Sequence, residues 1–108
     1  MSTTEKQAAT DYKAMVDYLE HLLTRQTDRL RTYDIDGACA VADETTPLAE
    51  EISQKRILSQ PEFAEQRLRL QKQYKEICLI IADQRQEVAD KMKQIRDGLR
   101  VLSGYSNK

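Results

Sequence analysis

Residues 74–102 read YKEICLIIADQRQEVADKMKQIRDGLRVL, and the spacing of their apolar side chains decides the fold. Tyr74, Cys78, Ile81, Arg85, Val88, Met92, Ile95, Leu99 and Leu102 follow one another in alternating steps of four and three. That is the 3.5-residue repeat of a coiled-coil seam, with Arg85 its one charged member. A strand would alternate at every second residue, so the stretch predicts a helix, read as one continuous element over 61–103. Its start is marked by Ser59-Gln60-Pro61-Glu62. Pro61 suits the first helical position, where a missing N–H costs nothing, and Glu62 and Glu65 complement the positive end of the helix dipole.

Toward the N-terminus the next turn signal is Tyr33-Asp34-Ile35-Asp36-Gly37. Asp34, or alternatively Asp36, caps the following helix by accepting from its free N–H groups, and Tyr33 and Ala38 have the spacing of a hydrophobic staple. Helices over 4–33, 35–58 and 61–103 result. In the first, Tyr12, Val16, Leu19, Leu22, Leu23 and Leu30 lie opposite Lys13, Asp17, Glu20 and Arg31. The second carries a row of small side chains, Ala38, Cys39, Ala42, Thr45, Ala49 and Ile52, which lets neighbouring helices approach closely. Because this row keeps its phase through Pro47, one helix kinked there is expected rather than two.

Composition agrees with an all-α chain, an antiparallel three-helix bundle of long hairpins. With 108 residues, 3 Gly, 2 Pro and no Trp, there are too few turn residues to connect many short strands. A 40% hydrophobic and 32% charged composition is too charged for a membrane protein and too apolar for a disordered one. One small soluble domain over 1–108 is expected. Lys and Arg number 17 against 18 Asp and Glu, without the basic stripe that nucleic-acid binders need. The longest apolar run, Leu79 to Ala82, is far short of the ~20 residues of a spanning helix, so neither nucleic-acid binding nor membrane insertion is expected. The opening Met1-Ser2-Thr3-Thr4-Glu5-Lys6 lacks a signal-peptide apolar region, and with only Cys39 and Cys78 as thiols the expected compartment is the cytoplasm.

Folding helices two and three into a hairpin about residue 59 sets Cys39 level with Cys78, and a hairpin about Asp34 sets Leu30 level with Ala38. Cys39 and Cys78 then read as small apolar residues filling a tight crossing, within reach of each other but reduced in a cytosol. Helix three is too long for its partner by residues 83–103, an overhang of ~30 Å. Val88, Met92, Ile95, Leu99, Val101 and Leu102 would line it as a binding surface or an oligomer interface, since monomers rarely leave such a stripe uncovered. Tyr105, beyond it, is a candidate anchor for a partner. The alternative is that the helix breaks at Gly98, or bends and folds back.

No catalytic constellation accompanies these helices. His21 has no second titratable group suggested beside it, one His and two Cys thirty-nine residues apart make no metal ligand set, and Asp43-Glu44 and Glu50-Glu51 read as solvated faces. Neither a phosphate loop nor a nucleophile elbow occurs. The expected protein is not an enzyme and uses no cofactor or metal.

Leu30-Arg31-Thr32-Tyr33-Asp34-Ile35-Asp36, a small-residue helix ending Glu50-Glu51-Ile52, and a long helix closing with Ile95-Arg96-Asp97-Gly98-Leu99-Arg100-Val101-Leu102-Ser103-Gly104-Tyr105 together resemble the FlgN/FliT family of flagellar type III export chaperones. The closing Val101-Leu102-Ser103-Gly104-Tyr105 is more similar to the FliT side, while Pro47 departs from the pattern. The resemblance implies a cytoplasmic chaperone that holds the C-terminal helix of hook-associated or filament-cap proteins, prevents their premature assembly and delivers them to a component of the export apparatus. On this reading the cargo helix lies along Val88, Met92, Ile95, Leu99 and Leu102, and Ile95→Asp with Leu99→Asp abolishes cargo binding while helicity survives. The residues leave a second reading open, a homodimeric coiled-coil or regulatory protein whose overhang pairs with its own copy.

Overall fold

The computed structural model describes the backbone of residues 2–84 and 86–105, and the side chains of 11–84, 90 and 92–103. Four helices form: α1 (Ser2–Arg31), α2 (Ile35–Gln54), α3 (Ala64–Ala82) and α4 (Gln86–Gly98), followed by a 3-10 segment, Arg100–Tyr105. Among the described residues there is no strand. The fold is an all-α bundle, 53 × 27 × 19 Å along its principal axes.

The first turn follows from its backbone bonds. Asp34 N–H donates to the Arg29 carbonyl at 2.8 Å and Tyr33 N–H to that of Leu30 at 3.1 Å, the paired bonds of a Schellman end. Tyr33 occupies the left-handed position at φ 61°, which favours glycine. Its ring is 72% exposed, so the expected staple to Ala38 does not form: the left-handed backbone turns the side chain outward. Asp34 is the cap. Its Oδ1 accepts from Gly37 N–H at 3.0 Å, and Arg29 donates to its Oδ2 at 2.8 Å. The Gly37 bond and then the Arg29 guanidinium hold this carboxyl below the usual range.

α2 runs through Pro47 as one helix, as its unbroken row requires, but ends at Gln54, short of the expected 58. Beyond it Arg56 turns left-handed at φ 54°, and 3-10 turns at Ile57–Ser59 and Pro61–Phe63 carry the chain across the foot of the bundle. Ile57, Leu58 and Phe63 are buried there. The apolar content of this connector makes it part of the core instead of a solvated hairpin loop.

The main departure lies in the third helix. α3 stops at Ala82, where Asp83 N–H and Gln84 N–H close the last turn on the Leu79 and Ile81 carbonyls. α4 then folds back between α2 and α3. These two helices scarcely touch: α1 packs against both on one side, and α4 with its 3-10 extension packs against both on the other. The overhang is therefore absent, and so is the α2/α3 pairing that set Cys39 level with Cys78; neither cysteine is in a disulfide. The reason is burial. Met92, Ile95, Leu99 and Leu102 find the inner faces of α2 and α3, which removes from water an apolar stripe that a straight helix would expose. Arg85, the charged member of the seam, lies outside the described residues.

Candidate functional site: the groove filled by α4

The groove begins with the small-residue row of α2. Ala38, Ala49 and Ile52 are buried in the same apolar cluster as Met92, Ile95 and Leu99, and Cys39, Ala42 and Thr46 line the edge toward Gln94 and Ile95. Thr45, also buried, satisfies its hydroxyl by donating to the Val41 carbonyl at 2.9 Å. Leu70, Gln71, Ile77 and Ile81 are buried on α3. Tyr74 lines the same side, half-buried; burial first and then its hydrogen bond with Cys78 raise its hydroxyl pKa, against the lowering pull of Arg100 and Arg96.

Into this groove α4 inserts Met92, Ile95 and Leu99, and the 3-10 extension adds Leu102; none of the four exceeds 1% exposure. Val101 is half-buried against the core. The side chains of Val88 and Tyr105, the remaining candidates, lie outside the described residues. Ile95 and Leu99 thus cannot be changed to Asp without putting charge into the core, so that pair does not separate cargo binding from folding.

The seal is uneven along the two flanks of α4. Toward α2 a cleft of about 330 Å³ stays open, lined by Cys39, Ala42, Asp43, Thr46, Pro47, Gln94 and Ile95. Pro47 supplies no N–H to the preceding turn, and its exposed ring forms part of the wall. At one point the helices meet closely: a Cβ added at Gly98 would stand 2.5 Å from Thr46 Oγ1 and 3.0 Å from Thr46 Cγ2. Only glycine allows that approach without a shift of the threonine.

α1 is attached quite differently. Asp17 accepts from Gln66 at 2.6 Å, Glu20 from Arg69 at 2.6 and 3.2 Å, and Thr24 from Gln73 at 2.9 Å, while Arg31 pairs with Glu76. Residues 17, 20 and 24 repeat the three-then-four steps of 66, 69 and 73, so α1 and α3 run parallel in constant register. The sequence places Asp17 and Glu20 on the face opposite the apolar row without giving them a partner, and the matched polar spacing in the two helices is the available signal. The ion pairs of Asp97 with Arg96 and Arg100, by contrast, stay within the C-terminal segment. Polar contacts bind α1 to α3, whereas an apolar stripe seats α4.

His21 is exposed and stacks on Tyr18, ring centroids 6.3 Å apart. Among the described residues no three His, Cys, Asp or Glu side chains are grouped to hold a metal, and no helix is long and apolar enough to cross a membrane. What the groove offers is a helix-sized apolar seat with one open edge. Comparison with family models, with curated proteins and with solved structures finds no match for this chain.

Proposed function

We propose that the chain is a cytosolic export chaperone of the FlgN/FliT kind, which binds the C-terminal helix of a hook-associated or filament-cap protein and delivers it to the type III export apparatus. The observation that supports this reading is the seating of α4: a short helix after a turn at Asp83 and Gln84, lodged between α2 and α3 by Met92, Ile95, Leu99 and Leu102. A cargo helix with a similar stripe would take the place of α4, beginning at the open edge beside Cys39, Thr46 and Pro47. Ordering the cargo and displacing α4 both cost free energy, which keeps affinity moderate and permits release. Met92 suits a seat that accepts more than one stripe.

The test is titration of synthetic C-terminal peptides of flagellar hook-associated and cap proteins into the native chain and into Gly98→Ala, whose added methyl pushes α4 from Thr46. Binding is expected to both, tighter to the variant. Absence of binding to either form rejects the chaperone reading.

A second reading is favoured by the seam itself, whose steps of four and three continue across the break between α3 and α4. Straightened at the turn, the two helices would form one long element and carry α4 into the groove of a second copy, making a swapped homodimer. Light scattering over a concentration series separates the readings: a dimer indifferent to every peptide favours the swap.

A further inference from the structure

Leu68 and Leu79 are 62% and 70% exposed, and their eleven-residue separation puts them on one face of α3, ~16 Å apart. Lys72 and Lys75 lie between them on that face, both exposed. Neither lysine enters an ion pair among the described residues. The other cations of this helix are engaged, Arg69 with Glu20 and Arg67 with the Leu58 carbonyl. Leu70, Ile77 and Ile81 point to the core from the opposite side, so this face is turned away from the α4 groove. Glu65 and Asp83 lie toward its two ends, and Glu76, one turn from Lys72, is paired with Arg31, so the uncompensated charge of the middle turns is positive.

We propose that this face docks an amphipathic helix of another protein, one with apolar side chains about three turns apart and Asp or Glu between them. Charge argues for that occupant. A second copy placed antiparallel across a two-fold axis, with each Leu68 on the other's Leu79, would bring Lys72 beside the other copy's Lys75, and like charges opposed in this way repel. The acidic helix α2, with Asp36, Asp43, Glu44, Glu50 and Glu51 and no Lys or Arg over 35–54, stands diagonally across the bundle. Its pairing with α3 of another copy would be head-to-tail, giving a ring or an open chain instead of a two-fold dimer. An acidic partner helix meets neither obstacle, and its carboxylates gain two cations that no acid among the described residues holds. The proposal concerns a surface separate from the groove and does not depend on the chaperone reading.

Two synthetic helical peptides test it, sharing one leucine stripe but bearing glutamate in one case and lysine in the other. Each is titrated into the isotope-labelled full chain and followed by amide chemical shifts, with anionic vesicles as a third probe. The glutamate peptide is expected to shift the amides of residues 68–79. Lys72→Glu with Lys75→Glu should weaken it roughly tenfold, and Leu68→Ser with Leu79→Ser should abolish it, all variants keeping native helicity because the four positions are exposed. Any of four results overturns the proposal: equal binding of both peptides, shifts centred on α4, binding to vesicles but to neither peptide, or a homodimer that the serine variants dissolve.

Discussion

Glu20 and Arg69 meet through two hydrogen bonds, 2.6 Å from Nε and 3.2 Å from Nη2, at the centre of the polar contacts that fix α1 beside α3. The Arg69 bond, assisted by Gln66, holds the Glu20 carboxyl below its ordinary value of 4.5. A carboxylate whose folded pKa is depressed stabilises the fold above the unfolded value, and that contribution disappears as the pH falls through the folded one. Glu20→Gln should therefore cost about 0.5 kcal/mol at neutral pH, the scale of a partly exposed pair. The cost should vanish below the folded pKa, so urea unfolding of both proteins across the acid range should give converging midpoints.

Tyr33 carries a backbone strain that the helix-closing bonds of its turn require but that its exposed side chain does nothing to offset. Its φ is 61° and its ring stands in solvent, whereas glycine adopts that conformation without a Cβ clash. Tyr33→Gly should stabilise the chain by about 1 kcal/mol, raising the melting temperature by roughly 4 °C or more. An unchanged or lower melting temperature would place the cost elsewhere.

Asp34 has the opposite character, a turn residue that the sequence identifies and the structure uses twice. It accepts from Gly37 and from Arg29. Asp34→Ala should leave the bundle folded but fray the start of α2, and faster hydrogen exchange at the Gly37 amide would report it. Since both bonds are stronger to the ionised carboxylate than to the protonated acid, the same protection should decline in wild type as the pH falls through the lowered pKa of Asp34.

These turns show what can be read from one chain. The cap at Asp34, the small row of α2 and the helix through Pro47 all follow from local rules, since capping, spacing and phase depend on neighbours in sequence. The break after Ala82 does not. Its flanking residues carry neither Gly nor Pro, and the seam from Tyr74 to Leu102 keeps its phase across it, so local pattern favours one long helix. Closure wins because Met92, Ile95, Leu99 and Leu102 bury completely against faces that α2 and α3 otherwise leave open. The candidate residues were visible as an apolar stripe. That the stripe faces inward depends on a tertiary contact between α2 and α4, forty or more residues apart. The ladder between α1 and α3 escaped for a related reason: matched polar spacings gain meaning only when the helices are known to run parallel.

Ile95 marks the difference between the two pictures. On an exposed overhang, Ile95→Ala would change stability little. At 1% exposure in the bundle core it should cost about 2–4 kcal/mol, the loss of transfer free energy plus a cavity. Urea denaturation of Ile95→Ala measures which picture holds in solution; a change below about 0.5 kcal/mol would mean that α4 spends its time outside the groove.

Gly98 and Thr46 supply the most direct control over α4. An alanine methyl at 98 would meet Thr46 Oγ1 at 2.5 Å and Cγ2 at 3.0 Å, so either the threonine turns or the C-terminal end of α4 lifts from α2. Alanine is the better helix former by about 1 kcal/mol, which offsets part of an overpacking cost of about 1–3 kcal/mol. Gly98→Ala should be destabilising by about 1 kcal/mol net. In the Thr46→Ala background both clashing atoms are gone and only the Cβ remains, at 3.3 Å. There Gly98→Ala should be neutral or stabilising, and the double-mutant cycle should return a coupling of at least about 1 kcal/mol. Additive effects would show that α4 does not press on α2 at this point, and with that result the use of Gly98→Ala to open the groove would lose its basis.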